Sequence, residues 1–449
     1  MTMKAFKAYD IRGIWDKDFN ADDVYRIGFF LTQVLKADKI LVGRDCRLSS
    51  NEVFDALCKG ITDSGASVAD AGLTTTPTIY WATAKFNFPA SVMITASHNP
   101  KHHNGLKVSA ANALPVGYDT GLNEIEKLVE TGEIEITKTK GIISQIDVKT
   151  DYISFLKGYI TDLSKLKIGL DCSNGMASIF IKQLLGDQII YINDEADGNF
   201  PGHEPNPLEP ENQEQIKELV LENHCDIGVI FDGDADRVMF IDEKGQFVSP
   251  DLIIALMGHY FFEEKSLKGN VLQDIRSSKA IGEYLNKYDA TVETWRVGRA
   301  FGAGKLREMD GLFGGELAGH YYFREFYYSD SGLLAALIVL HLVAKFKVQG
   351  LTLSALIKRI SPYYNSGEIN FKLDRKNEAM EAIRDYFIEN EKPIKMMDFD
   401  GYRLDYQDYW LNVRLSNTEP YLRFIAEAKS EEKLKELIDI ANQIIKFYL

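Results

Sequence analysis

Short apolar runs alternate with stretches of helical periodicity from residue 39 to residue 316, and this alternation constrains the chain more than any other feature. The runs fall at 39–43, 67–71, 90–95, 167–171, 188–192, 226–231, 238–242, 270–274, 291–297 and 312–316. Parallel strands need a helical crossover between them, so the alternation predicts α/β layers built on mainly parallel sheets. Several runs end in loops rich in glycine and charge, which is where open α/β sheets carry their ligands. At 449 residues the chain exceeds one core, since a domain takes roughly 100–200 residues. Three α/β blocks can be drawn, at 1–148, 149–249 and 250–362. The tail, 363–449, breaks the rhythm. It reads as a small α+β domain: strands, a turn at Asn417-Thr418-Glu419-Pro420, a strand at 421–428 and a closing helix at 430–449. The polar stretches 137–150 and 361–367 read as linkers.

Composition narrows the partners. Hydrophobic residues make up 45% and charged residues 26%, the balance of a globular chain without extended disorder. A net charge of -15 opposes nucleic acid and anionic membranes, because the long-range field repels phosphate polyanions. A small phosphorylated ligand would therefore need a locally positive site. Cys46, Cys58, Cys172 and Cys225 show no Cys-x-x-Cys spacing, so neither a zinc site nor a disulfide framework is expected, and a reducing cytoplasm fits. The N-terminal residues form no apolar signal core. The stretch 333–344 is shorter than the roughly 20 residues a membrane span needs and carries His341, so it reads as a buried helix.

Four motifs carry chemistry. Met93-Ile94-Thr95-Ala96-Ser97-His98-Asn99-Pro100 puts a hydroxyl nucleophile at the end of an apolar run, with Lys107 beyond Asn104-Gly105-Leu106. Backbone N–H groups at a strand end, with nearby cations, can steady a phosphate. A serine alone is more often a cap or turn residue, and its weight comes from its companions. His98 and His102 have the i, i+4 spacing of a helical zinc pair, but Pro100 between them breaks the helix. Asp232-Gly233-Asp234-Ala235-Asp236-Arg237 crowds three carboxylates between apolar runs, which calls for a hard cation such as Mg2+. An EF-hand is excluded, because Arg237 stands where that loop needs glycine and strands flank it. Gly315-Glu316-Leu317-Ala318-Gly319-His320 offers a carboxylate and an imidazole in a glycine-rich loop. Arg414-Leu415-Ser416-Asn417-Thr418-Glu419-Pro420, with Arg423, combines hydroxyl, amide and guanidinium donors, the mixture that holds a phosphate dianion. The segment 298–305 looks faintly like a P-loop, but Arg299 stands where its first glycine belongs and Leu306 replaces the Ser/Thr that binds Mg2+.

Together these motifs, in this order, resemble the α-D-phosphohexomutases, and within them the phosphomannomutase/phosphoglucomutase group. The resemblance begins at Ala8-Tyr9-Asp10-Ile11-Arg12-Gly13 and reaches Arg423, almost the whole chain. It implies three consecutive mixed α/β-sheet domains of similar topology and a smaller C-terminal α+β domain around a central cleft. It implies a phosphoserine at Ser97, and one Mg2+ per chain on Asp232, Asp234, Asp236 and a phosphate oxygen of Ser97. Arg12 and Arg237 would hold the phosphoryl group in transfer, and Lys107 and His98 would flank it for proton transfer. Glu316 and residue 318 would read sugar hydroxyls, with Tyr9, Arg276, Arg299 and His320 around the substrate. Arg414, Ser416, Asn417, Thr418 and Arg423 would clamp the second phosphate. Ala318 stands where serine is common, which removes a hydroxyl contact and bears on sugar selectivity. His103 replaces an aromatic, while Arg276 and Arg299 occupy positions often lysine and histidine and keep the charge.

The activity this implies is reversible phosphoryl transfer between O1 and O6 of a hexose, mannose and/or glucose, through a hexose 1,6-bisphosphate that turns end over end. Phosphoglucosamine mutase is the nearer alternative. Leu317, where glucosamine-type members carry glutamine, and Tyr322-Phe323-Arg324-Glu325-Phe326 weigh against it. A catalytically silent phosphosugar-binding regulator is the other alternative, and it would need neither Ser97 nor three aspartates. The expected partners are small phosphosugars rather than nucleic acid or membrane, and the expected state is a cytoplasmic monomer or weak homodimer.

Overall fold

The computed structural model describes residues 4–416 and 421–448. Their strands form four sheets. In the first, Ile143–Gln145, Ser67–Leu73, Lys39–Arg44 and Ala90–Ile94 run parallel, and His103–Ala110 then Ile11–Ile14 follow antiparallel. In the second, Ile190–Ile192, Ile168–Asp171 and Ile227–Phe231 run parallel before Val238–Asp242 turns back. In the third, Val292–Trp295, Val271–Asp274 and Phe313–Gly315 run parallel before Tyr321–Phe323 turns back. The last parallel strand of each sheet thus enters a hairpin. Ser97, the aspartate loop and residues 316–320 occupy the three equivalent hairpin connections. The fourth sheet is antiparallel, and residues 416–420 join its long strands Tyr409–Leu415 and Tyr421–Ala428.

Burial explains the legible part of this pattern. Ala90–Ile94 and Ile227–Phe231 are buried at every residue, as strands covered on both faces must be, and so they read as unbroken apolar runs. Capping marks the helices. Asn20 and Asp23 make a capping box at Ala21–Val34, and Thr75 caps Thr76–Lys85 with Pro77 in its first turn. The apolar run at 333–344 lies in the helix Gly332–Val348, capped by Ser331 and buried on nearly all sides. No single helix among the described residues is long and apolar enough to cross a membrane. One apolar core joins side chains of the first three sheets, among them Leu41 and Met93, Ile168 and Phe231, and Val271 and Phe313. The fourth sheet keeps its own, around Leu411, Phe424, Leu437 and Ile445.

Several expectations need correction. Residues 137–150 are not only a linker, since Ile143–Gln145 adds an edge strand beside Ser67–Leu73. That strand is exposed throughout, so it carries no alternation to read. Within 361–367, Tyr364–Asn365 pairs with Tyr421–Ala428. The tail holds an unexpected helix, Lys376–Asn390, whose buried face is only Ala379, Ile383 and Phe387. Residues 103–110, absent from the expected strands, form a strand that carries Lys107 into the sheet.

Candidate functional site

Ser97 is 1% exposed and adopts φ 52, left-handed backbone that costs a residue with a side chain roughly 1–2 kcal/mol. Local bonds hold it there. Its N–H donates to Thr95 Oγ1 at 2.8 Å, and the Asn99 N–H donates to the Ala96 carbonyl at 3.0 Å. The hydroxyl donates to the Asp232 carboxylate at 2.8 Å. Gly233 is required at this contact, because a Cβ there would stand 2.5 Å from the Ser97 carbonyl oxygen.

Asp232, Asp234 and Asp236 have no solvent exposure. All three sheets grip their loop. The Gly233 carbonyl accepts from the Met176 N–H at 2.9 Å, that of Asp234 from Thr76 at 3.1 Å, and that of Ala235 from Gly332 at 3.2 Å. Lys107 Nζ donates to Asp234 at 2.6 Å and also to Asp236, and the Thr76 hydroxyl donates to Asp234. Burial and then the neighbouring carboxylates push Asp232 well above the usual carboxylate range. For Asp236 burial acts the same way, but the Lys107 cation outweighs it and holds the carboxyl low. Burial opposes the Lys107 cation, yet Asp234 and Asp236 keep its pKa above the ordinary lysine value. One oxygen each of Asp234 and Asp236 is buried without a hydrogen-bond partner among the described residues. Three clustered hard-oxygen donors, two of them orphaned, fit a small divalent cation.

Cations rim this cluster. Arg12 donates to Asn99 Oδ1 at 2.9 Å and pairs with Asp10. Arg237 stands 3.9 Å from Asp232 and donates from Nε to His320 Nε2 at 3.0 Å. A guanidinium Nε carries a hydrogen and cannot accept, so His320 Nε2 must be the lone pair of a neutral ring. The ring's proton then sits on Nδ1, which donates to Asp330 at 2.6 Å. Asp330 in turn accepts from Arg299 at 3.0 Å, and Arg299 lies 3.6 Å above the Tyr80 ring. His98 Nδ1 is 3.4 Å from the Ser97 hydroxyl, and burial, then Arg237 and Arg12, keep this ring neutral.

The third and fourth loops assemble a second group. Glu316 is buried, accepts from the Tyr322 hydroxyl at 2.5 Å, and has its pKa raised by burial. Ala318 sits half-buried in the turn that the Gly319 N–H closes onto the Glu316 carbonyl at 2.9 Å. Arg276 binds Asp274 at 2.8 Å and reaches Glu368 at 3.5 Å, and Arg423 binds the other oxygen of Glu368 at 2.9 Å. Arg414 is held by Asp400 at 3.2 Å, whose second oxygen accepts from the Val297 N–H at 2.8 Å. Tyr9 meets the Phe301 ring edge-on at 5.9 Å, so the first motif touches the third sheet's Arg299–Glu308 helix. Ser416 is half-buried at the end of Tyr409–Leu415. Asn417 and Thr418 lie outside the described residues.

The expected residues thus fall into two groups, joined through the loop of Glu316 and His320. Sequence reasoning missed Asp330, which fixes the His320 tautomer, and the carboxylates Glu368 and Asp400 that hold arginines. It also missed Arg47, bonded to the Ser97 loop. A signal existed for Arg47. It follows the strand paired in parallel with Ala90–Ile94, so it leaves the sheet beside Ser97.

Four consecutive segments match phosphoglucomutase/phosphomannomutase domains. Residues 3–135, 150–245 and 249–364 match alpha/beta/alpha domains I, II and III, and residues 368–443 match the C-terminal domain. The chain belongs to this family. It is 35% identical to a phosphomannomutase of Escherichia coli, over 97% of each chain. It is also 35% identical to a phosphomannomutase of Methanocaldococcus jannaschii, over 99% of this chain and 98% of the other. A crystal structure of a phosphoglucomutase/phosphomannomutase family protein from Burkholderia thailandensis superposes with a TM-score of 0.88 at 27% identity, covering 99% and 98% of the two chains. The chain is therefore a phosphohexose mutase, a phosphotransferase of the isomerase class.

Proposed function

We propose that this phosphohexomutase moves a phosphoryl group between O1 and O6 of mannose and/or glucose through a phosphoserine at Ser97 and a hexose 1,6-bisphosphate. The observation that carries the reading is the Ser97 hydroxyl, held 2.8 Å from a buried cluster of three carboxylates and ringed by Arg12, Lys107 and Arg237. In one half-reaction a sugar hydroxyl attacks the phosphorus on Ser97: its new O–P bond forms, the Ser97 Oγ–P bond breaks, and the sugar's proton passes by way of a base to the freed Ser97 oxygen. In the other, after the bisphosphate has turned over, the Ser97 hydroxyl attacks the phosphorus at the opposite end: the Oγ–P bond re-forms, the sugar O–P bond breaks, and the serine's proton passes to the freed sugar oxygen.

Asp232, Asp234 and Asp236 would hold Mg2+, which supplies a Lewis acid that neutralises charge on the phosphoryl oxygens. Arg12 and Arg237 orient the group, and His320 with Asp330 fixes the Arg237 fork. Lys107, bonded to two of the aspartates, and His98, whose Nδ1 is 3.4 Å from the Ser97 hydroxyl, are the proton carriers beside the reacting oxygens. Arg414, Ser416, Asn417, Thr418 and Arg423 hold the phosphate that is not reacting, while Glu316 and the residue 318 turn, with Tyr9, Arg276 and Arg299, face the sugar. Incubation with glucose 1,6-bisphosphate should add the mass of one phosphoryl group, mapped to Ser97. Turnover of mannose 1-phosphate and glucose 1-phosphate then measures sugar preference. Absence of the adduct together with absence of turnover would sink this reading.

A further inference from the structure

One guanidinium collects the carbonyl oxygens of the Ser97 loop. The Arg47 side chain has no solvent exposure. Its Nη2 donates to the carbonyls of Ser97 at 2.7 Å and Asn99 at 2.6 Å, and its Nη1 donates to those of Pro100 at 2.8 Å and His103 at 3.1 Å. Nε completes the set on Asp45 at 3.1 Å, so every donor of the fork is used. Asp45 is itself fixed, accepting from the Ser50 hydroxyl at 2.6 Å, and its N–H donates to the Ile94 carbonyl at 3.0 Å. The Phe200 ring covers the guanidinium at 5.0 Å. Arg47 spends four of its five donors on the backbone of a single loop.

Across a trans peptide the N–H points opposite to the C=O. Drawing the Ser97 carbonyl onto Arg47 therefore points the His98 N–H the opposite way, away from Arg47, within the same peptide plane. This N–H has no hydrogen-bond partner among the described residues, and it follows directly on the residue whose hydroxyl carries the phosphoryl group. We infer that Arg47 is a positioning residue: it holds Ser97 in its left-handed conformation and aims the His98 N–H at the phosphoryl group on Ser97. The inference rests on the phosphoserine reading and adds to it the group that orients the loop. No reacting atom touches Arg47.

Three measurements test it. Arg47→Lys keeps a buried cation but cannot span four carbonyls, and Arg47→Ala removes the clamp. Both should lower kcat about 100-fold, with KM for the hexose phosphate within about threefold of wild type. Millimolar guanidinium should restore part of the Arg47→Ala rate, whereas ammonium should not, a rescue that mere loss of stability would not show. In the unaltered enzyme labelled with 15N-histidine, phosphorylation of Ser97 should move the His98 amide proton downfield, as a charge-assisted bond to phosphate requires. A wild-type rate in Arg47→Lys, or an unmoved His98 amide once Ser97 is phosphorylated, overturns the inference. The amide measurement decides if neither variant folds. If Ser97 takes no phosphoryl group at all, the functional reading has failed and the inference falls with it. Phosphorylation at normal rates in the variants would overturn the Arg47 role alone.

Discussion

The two parts of this molecule that carry the expected site residues are joined by different forces. The first three sheets share an apolar core, and the Ser97 and aspartate loops sit on it with no exposed carboxylate. The C-terminal sheet keeps a separate core and meets the third sheet mainly through polar bonds, with one ring contact between Trp295 and Phe399 at 5.4 Å. Arg403 donates to the carbonyls of Ile275 at 2.9 Å and Ser277, Lys279 to that of Tyr406 at 2.7 Å, and Ser278 to Glu427. An apolar seam is non-directional and disfavours opening, whereas a polar seam can exchange its bonds for water at small net cost. The contrast suits the chemistry proposed. Phosphoryl transfer needs fixed atoms, and a bisphosphate that turns over needs a clamp that can loosen.

The largest expected effect tests the rigid half. Ser97→Ala should reduce mutase activity roughly 1,000-fold or more while the thermal midpoint moves by only a few degrees. Near-wild-type turnover in that variant would falsify the covalent route. Metal removal comes next. Excess EDTA should abolish turnover and Mg2+ should restore it, while Ca2+, with its looser coordination, should bind and support little. Full rates after exhaustive chelation would mean that Lys107 alone neutralises Asp234 and Asp236 and that the cluster needs no ion.

Legibility in the sequence follows the same division. Ser97, the aspartates and Glu316 stand at the ends of unbroken apolar strands, where periodicity and motif spacing coincide. The polar seam was opaque, because Glu368, Asp400 and Glu427 look like any surface carboxylate until the fourth sheet is placed against the third. Asp330 was missed for a related reason. It lies in a two-residue strand, Ser329–Asp330, too short to leave a periodic signature, and its partner His320 is supplied by the neighbouring strand's turn. The helix Lys376–Asn390 was missed because only three of its residues are buried and its charged faces swamp the apolar stripe.

A middle-sized effect should come from the clamp. Arg414 is 2% exposed and paired with Asp400, so a phosphate must share or displace that carboxylate. Arg414→Ala removes a charge-assisted contact of roughly 1.5–3 kcal/mol, and substrate binding should weaken about tenfold or more. The loss should be alike for the 1-phosphate and the 6-phosphate, with more bisphosphate released per turnover. Kinetics in both directions, with a coupled assay for free bisphosphate, distinguish the cases. A defect confined to one regioisomer would mean one fixed pose and no turning over.

The smallest effect on activity, and the most selective probe of the polar seam, concerns Glu427. Its carboxylate is 2% exposed and accepts from the Trp410 indole at 2.7 Å and the Asn365 amide at 2.7 Å, as well as from Ser278. Burial, then Asp251, pushes its pKa from the usual 4.5 up to about 7. A folded-state pKa above the unfolded one means that the native protein binds the proton more tightly. The stabilisation is complete below the unfolded value, near pH 4.5, and is lost as pH rises through about 7. At about 1.4 kcal/mol per pKa unit, a few kcal/mol depend on this proton. Glu427→Gln keeps a neutral acceptor toward Trp410 and Ser278, so it should melt within a few degrees of wild type at pH 5.5 and gain on it by roughly 2–4 °C at pH 8. Because Glu427 touches no expected substrate group, kcat at pH 7 should change little. Calorimetry at the two pH values, with the apolar-seam variant Leu41→Ala as a control whose deficit stays constant with pH, reads the contrast directly. Parallel slopes for wild type and Glu427→Gln would show that Glu427 titrates as an ordinary carboxylate and that the two seams do not differ in their response to protons.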